Sequence, residues 1–228
     1  MGRTLAVADI HGDWNIWKKI KEFLQPDDTL YILGDCADRG ERGWDIIKEA
    51  ISHPQIIYLK GNHEDMLADA IRESEEEGAF RQAYYFLAQN GGSVTYNDWV
   101  CDGCYTAWAR KLKRLPLYEK YVNTAGQTVL LSHAGYTPHY PIEEADQDTL
   151  IWNREHFWGK WPEGMENTYI VHGHTPCIYL AEDLNIEYEM DNPIWYCDGH
   201  KCCIDNCTIL NKAALVLDLD TFECHLIK

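Results

Sequence analysis

The sequence predicts an α/β protein built on a largely parallel sheet, and three observations carry that expectation. Within the first 70 residues a short apolar run, a polar turn and a helical pattern follow one another three times. That is how parallel strands joined by crossover helices look in sequence. The runs are short and bounded by turn residues, as buried strands are. Each ends abruptly in Asp, Asn or His beside Gly, and open α/β sheets keep their chemistry just outside the carboxyl ends of their strands.

The first strand spans 4–8 and runs into Asp9-Ile10-His11-Gly12-Asp13. Asp13 is suited to cap a helix whose Ile16, Ile20, Phe23 and Leu24 share one face until Pro26. The second strand, 30–33, meets Gly34, Asp35, Asp38 and Arg39, and a helix over 43–51 follows with Ile46, Ile47, Ala50 and Ile51 inward. The third strand, 56–59, opens into Gly61-Asn62-His63-Glu64. Helical periodicity then holds from 64 to 90, ends at Gly91-Gly92, and returns over 106–114 before Pro116. This stretch, 64–116, is expected to be a helical insert in a single domain of 228 residues, with the acidic run 73–77 on a solvated face. Strands return at 118–122 and 128–131 around Ala125-Gly126, the second ending in Ser132-His133-Ala134-Gly135. A Pro- and Trp-rich segment with Ile151-Trp152-Asn153-Arg154 is expected to be irregular. A strand over 169–171 enters His172-Gly173-His174-Thr175, and 213–219 with 223–227 read as a closing antiparallel hairpin.

Composition narrows the function. The formal charge of −17 disfavours nucleic acid and anionic membranes as partners, since both need basic surface. No run of 18 apolar residues exists to form a transmembrane helix, and the first residues lack the pattern of a secretory signal. The expected location is the cytoplasm, where the nine cysteines would be thiols rather than a disulfide framework.

A lone Asp after a strand is ordinarily a helix cap, and a lone His before Gly an ordinary hydrogen-bonding residue. Here five apolar runs end in Asp9/His11, Asp35, Asn62/His63, His133 and His172/His174 at nearly constant spacing, which places these groups on one sheet edge. Carboxylates, imidazoles and an amide oxygen together form the ligand set of a two-metal site suited to Mn²⁺, Fe or Zn²⁺. Asp35, on a central strand, is the expected bridging carboxylate, and His172 is expected to support the site rather than ligate.

DIHG at 9–12, GDCADRG at 34–40, GNHE at 61–64, SHAG at 132–135 and HGHT at 172–175 resemble the ordered motifs of calcineurin-like metallophosphoesterases. GDxxDRG with GNHE is similar to the phosphoprotein phosphatase branch, its small bacterial and phage members above all. The resemblance implies a four-layer β-sandwich flanked by helices and two divalent cations, manganese first. It assigns Asp9, His11 and Asp35 to one cation, and Asp35, Asn62, His133 and His174 to the other. Pro176 stands where many relatives carry a further His ligand. The implied activity is phosphomonoester hydrolysis on phosphoserine or phosphothreonine proteins, by in-line attack of a hydroxide shared by the metals. Arg39 and Arg154 would clamp the phosphoryl group, and His63, oriented by Asp38, would protonate the leaving alkoxide. Relatives with the same motifs leave as an alternative a hydrolase of diadenosine polyphosphates or another nucleotide, and a non-catalytic phospho-ligand binding module is the second alternative. Cys36 is expected to be an inert buried thiol. Cys101/Cys104 with Cys197–Cys207 allow a structural zinc, though buried thiols are the simpler reading. Trp152, Trp158 and Trp161 are candidates for a groove wall.

Overall fold

Two five-stranded sheets face each other in the computed structural model, which describes residues 2–74, 77–103, 105–154 and 161–228. In the first, β1 (Thr4–Val7) lies parallel to β2 (Thr29–Ile32), and β2 lies parallel to β3 (Ile56–Tyr58). β1 is also antiparallel to β9 (Ala214–Asp218), which pairs with β10 (Cys224–Ile227) as the expected hairpin. In the second sheet β4 (Tyr118–Val122) is antiparallel to β5 (Thr128–Ser132), and β6 (Thr168–His172) runs parallel to β5 and to β8 (Lys201–Cys203). β7 (Ile194–Tyr196) closes the far edge antiparallel to β8.

The period-2 alternation of the strands sorts their side chains into layers. Ala6, Tyr31 and Leu33 point inward and meet Val129, Leu131, Val171, Leu215 and Leu217 in the core between the sheets. Leu5, Val7, Leu30 and Ile32 point the other way. They pack on α1 (Trp14–Phe23), α2 (Gly43–Ser52) and α3 (Asn62–Arg72) through Ile16, Trp17, Ile20, Ile46, Ile47 and Leu67. On the outer face of the second sheet, Leu130 and Ile170 are covered by Tyr136, Ile142, Leu150 and Ile151. The result is a helix–sheet–sheet–helix arrangement, and strands buried on both faces explain why their sequences read as unbroken apolar runs.

Asp13 caps α1 as expected, its carboxylate accepting from the Asn15 and Ile16 amides at 3.1 and 3.2 Å. Among the described residues, four helices occupy the segment between β3 and β4: α3, α4 (Glu77–Gln89), α5 (Ser93–Cys101) and α6 (Ala107–Lys113). α5 has no counterpart in the sequence reading, because Val94, Thr95, Tyr96, Trp99 and Val100 are poor helix formers. Burial of Thr95, Tyr96 and Trp99 overrides that propensity. The segment after β5 is not wholly irregular, since α7 (Gln147–Trp152) forms there behind Asp146, whose carboxylate caps it at the Thr149 amide. α8 (Cys177–Leu184) follows β6 and packs on β7 and β8.

Candidate metal centre and active site

The strand ends of both sheets meet on one rim. β1 leads into Asp9 and His11, β2 into Asp35, Asp38 and Arg39, and the first turn of α3 carries Asn62 and His63. β5 leads into His133 and β6 into His174. The expectation of a single sheet edge is therefore corrected: the groups come from both leaves of the sandwich and close on each other across its mouth.

The backbone there is unusual. Asp9, His11, Asp35, Asp38, Arg39 and His174 all adopt left-handed conformations, with φ between 47° and 68°. Each such non-glycine residue costs on the order of 1–3 kcal/mol and persists only where its surroundings over-determine it. Here the first two turns brace each other. The amides of Asp9, His11 and Gly12 donate to the carbonyls of Gly34, Asp35 and Cys36 at 3.3, 2.9 and 2.9 Å. Glycine is needed where backbone passes the carboxylates: a Cβ on Gly61 would lie 2.1 Å from Asp35 Oδ1, and one on Gly173 2.0 Å from Asp9 Oδ2.

Glu64 completes the bracing and has no role in the sequence reading. Fully buried, it accepts from the amides of Asp35, Gly61 and Ala37 at 2.8, 3.0 and 3.1 Å. It thereby ties the α3 N-terminus to the turn after β2. Its signal was available: a Glu at the third helical position behind a cap residue is half of a capping box. The insert supports the same turn from the other side. Thr95 Oγ1 on α5 accepts from the Asp38 amide at 2.9 Å, and the Gly91 carbonyl accepts from the Arg39 amide at 3.0 Å.

Asp35 sits at the centre. Its Oδ2 lies 3.5 Å from His133 Nε2, 3.7 Å from His63 Nε2 and 3.8 Å from His11 Nε2. Two groups that could hold a metal share it, His11/Asp35/His63 and Asp35/His133/His174. Asp9 reaches the first, with Oδ1 3.8 Å from His11 Nε2, and its Oδ2 accepts from the His174 amide at 3.0 Å. Asn62 Oδ1 stands between His133 Nε2 at 2.8 Å and His174 Nδ1 at 3.1 Å. His63 is committed elsewhere, since its Nδ1 meets Asp38 Oδ2 at 2.7 Å and its Nε2 meets Arg39 Nη2 at 3.1 Å.

The hydrogen bonds fix which nitrogens face inward. His11 Nδ1 donates to the Ala37 carbonyl at 2.9 Å and His133 Nδ1 to the Leu33 carbonyl at 2.7 Å. Both Nε2 atoms are thereby left as lone-pair acceptors aimed into the site. Among the described residues, Nε2 of His11 and of His174 are buried with no hydrogen-bond partner. His133 Nε2 and Asn62 Oδ1 confront each other as two acceptors. A buried array of acceptors without donors is unfavourable on its own and is what a cation satisfies. The donor set fits two divalent ions.

Electrostatics agree. Burial holds the imidazoles of His11 and His174 neutral, down to about 3 and about 2, the state a metal ligand requires. Asp9 is pushed up by burial and by the Asp205 and Asp35 carboxylates beside it. Burial opposes the charge on Asp35 too, but the His133, His63 and His11 imidazoles around it hold its carboxyl low. Burial also opposes a charge on His63, and Asp35 and Asp38 outweigh it, raising the imidazole. Asp205, buried behind Asp9 and pushed up by burial to about 6, is a second contributor the sequence reading left without a role.

Arg39 and Arg154 are exposed at the rim, the latter with Nη1 3.2 Å from Thr175 Oγ1. His172 lies outside the ring of candidate ligands, its Nε2 2.7 Å from the Tyr196 hydroxyl and its Nδ1 3.0 Å from the Gly173 carbonyl. Cys36 is buried, and burial raises its thiol well above the ordinary value. Among the described residues neither metal-capable group contains a cysteine. Cys104 and Trp158 lie outside the described residues. Trp152 does wall the site, its ring centroid 6.1 Å from that of His174, whereas Trp161 stacks on His200 at 4.7 Å.

A helix-flanked sandwich with a metal-binding Asp/His cluster at its strand ends defines a class of metal-dependent hydrolase. The calcineurin-like phosphoesterase family model matches residues 2–203, and the chain belongs to that family. No curated protein matches at a significant level. Among solved structures, one described provisionally as a diadenosine tetraphosphatase aligns with 99% of this chain and 93% of its own, at 16% identity and a TM-score of 0.63. A serine/threonine phosphatase from Saccharomyces cerevisiae, similar to human PP5, covers 100% of this chain and 80% of its own, at 12% identity and a TM-score of 0.61. A cold-active protein tyrosine phosphatase from a Shewanella species aligns over 100% of this chain and 81% of its own, at 15% identity and a TM-score of 0.57. At these identities the likeness is one of fold.

Proposed function

We propose that this protein is a dinuclear phosphomonoesterase acting on phosphoserine and phosphothreonine side chains. The observation that carries the reading is the pair of acceptor clusters sharing Asp35, with His133 Nε2 and Asn62 Oδ1 facing each other at 2.8 Å. Asp9, His11 and Asp35 would hold one divalent cation, and Asp35, Asn62, His133 and His174 the other, manganese being the proposed metal. Bound there, the pair supplies Lewis acidity toward phosphoryl oxygens and a water of lowered pKa.

The remaining chemistry belongs to side chains of this chain. Arg39, exposed at the rim, would present a planar guanidinium to two non-bridging phosphoryl oxygens, and Arg154, which donates to Thr175 Oγ1 at 3.2 Å, would supply a second. His63 delivers the proton that the departing alkoxide needs. Its Nδ1–H points to Asp38, which fixes the ring and leaves Nε2 facing the site. Arg39 can donate to that Nε2 only while it carries no proton, so the 3.1 Å contact and the acidic form of His63 exclude each other. Movement of Arg39 onto a phosphoryl group frees Nε2 to be protonated under the pull of Asp35 and Asp38.

The test is phosphate release by Mn²⁺-loaded protein from a phosphoserine peptide and from diadenosine tetraphosphate, with His63→Asn as control. Faster turnover of the peptide, lost in the variant, is the expected result. The second reading, hydrolysis of dinucleotide polyphosphates, draws on the length match to the structure described provisionally as a diadenosine tetraphosphatase. Preference for the dinucleotide would replace the first reading and leave the site intact. A cytoplasmic location is proposed from the sequence pattern alone.

A further inference from the structure

A cleft of about 660 Å³ opens beside the candidate site, sharing Arg39 with it and reaching along the start of α1. Gly12, next in sequence to His11, also lines it, so cleft and site adjoin. Four basic side chains line it, Lys19, Arg39, Arg42 and Lys212, against the acidic Asp13 and Glu41. Two of the cations already have carboxylate partners, Lys212 Nζ donating to Asp13 at 3.2 Å and Arg42 Nε to Asp45 at 2.8 Å, which leaves Lys19 and Arg39 against Glu41. A local excess of positive charge on a chain of net −17 needs an explanation, since composition alone would make this surface acidic.

We infer that this cleft binds the acidic residues flanking the phosphoserine or phosphothreonine of a peptide substrate. The inference deepens the proposed function and rests on it for the position of the scissile phosphate. A peptide threaded past Arg39 would place its neighbouring carboxylates against Lys19, and against Lys212 and Arg42 in exchange for their present partners Asp13 and Asp45. Lys212 is 68% exposed on its side chain and Lys19 is exposed on α1, so both can reach a ligand without rearrangement of the core.

The lining distinguishes a peptide from a nucleotide. A purine would need an aromatic face, and the cleft's tryptophan, Trp14, has its ring engaged by cations. The Arg42 guanidinium lies 3.9 Å from its centroid and the Lys21 ammonium 5.2 Å. Those cation–π contacts hold Arg42 in place beside the cleft. They leave Trp14 little aromatic surface to offer a base, and the Arg42 guanidinium is paired with Asp45 as well, at 2.7 Å.

The test uses Mn²⁺-loaded protein and three phosphoserine peptides that differ only in Glu, Ser or Lys at the flanking positions, with p-nitrophenyl phosphate as a substrate that carries no flanking residues to meet Lys19 or Lys212. The Glu-flanked peptide should show a kcat/KM about three- to tenfold above the Ser-flanked one, chiefly through KM, the scale of one or two exposed charge contacts. Lys19→Glu and Lys212→Gln should each erode that preference, and together abolish it, while turnover of p-nitrophenyl phosphate stays unchanged. Equal kcat/KM for the three peptides, or a preference indifferent to both substitutions, would overturn the inference. A second arm measures binding of the same peptides, fluorescently labelled, to His63→Asn protein. Glu-dependent binding there, lost in Lys19→Glu, would sustain the cleft assignment even if no peptide were hydrolysed, and would place the failure in the proposed activity. Tighter binding of diadenosine tetraphosphate than of any peptide, with the same dependence on Lys19, would give the cleft to a nucleotide instead.

Discussion

Replacing Glu64 should damage the protein more than replacing any candidate ligand, because Glu64 holds the turn from which the ligands project. Its carboxylate satisfies three buried amides, those of Asp35, Gly61 and Ala37. Glu64→Ala strips all three of a partner, and an unsatisfied buried donor costs about 1–3 kcal/mol. Allowing for some collapse or water entry, the expected loss is roughly 3–5 kcal/mol, a shift in Tm of roughly 6–20 °C for a domain of this size. Glu64→Gln keeps one acceptor oxygen and aims an NH2 group at backbone N–H, so it should fall between the two. The same turn carries the Ala37 carbonyl that orients His11 and the Asp35 amide beside its own carboxylate. Metal affinity should therefore drop about 10–100-fold in Glu64→Gln, as it does when groups supporting ligands are removed. Calorimetric melting with and without Mn²⁺ reads both effects. A Glu64→Ala protein with unchanged Tm and unchanged metal affinity would refute the claim that this side chain braces the site.

Other consequences can be checked separately. Asp28 accepts from the Arg3 amide at 2.8 Å, from its guanidinium at 2.5 and 3.1 Å, and from the Gln25 amide at 2.9 Å. Burial opposes its charge, but these bonds win and lower its pKa. A folded-state pKa below the unfolded one gives stability that is full above about pH 4 and lost as pH falls through the folded value. Asp28→Asn should thus cost about 1.5–3 kcal/mol at pH 7 in urea melts, with the gap to wild type closing below about pH 4. Arg39→Ala should lower kcat/KM on p-nitrophenyl phosphate about 10²-fold or more, and Arg39→Lys should recover only part of it. His63→Asn should lower kcat about 10²–10⁴-fold while binding the metals as wild type does. Loss of a metal in that variant would make His63 a ligand instead.

Much of this architecture is legible in the sequence because buried strands and turn glycines write it directly. The runs ending at Asp9, Asp35, Asn62 and His133 announce both the sheets and the candidate ligands. That they lie on two facing sheets is not visible in spacing alone, since strand order depends on long-range pairing such as β5 with β6. α5 escaped because its residues favour strands and its helicity comes from tertiary burial of Tyr96 and Trp99. Glu64 and Asp205 were hidden for another reason. Each acts on the site through backbone or field rather than as a ligand, and a lone acid in sequence looks like surface. Lys19, Arg42 and Lys212 converge only in the folded chain, from α1, the start of α2 and the stretch before β9.

The central claim is a site for two cations organised on Asp35, and a calorimetric titration of Mn²⁺ into metal-stripped protein tests it most directly. The account predicts two ions per wild-type chain, two in His63→Asn, and neither held tightly in Asp35→Asn. One ion per wild-type chain, or an Asp35→Asn protein that still binds both, would contradict it.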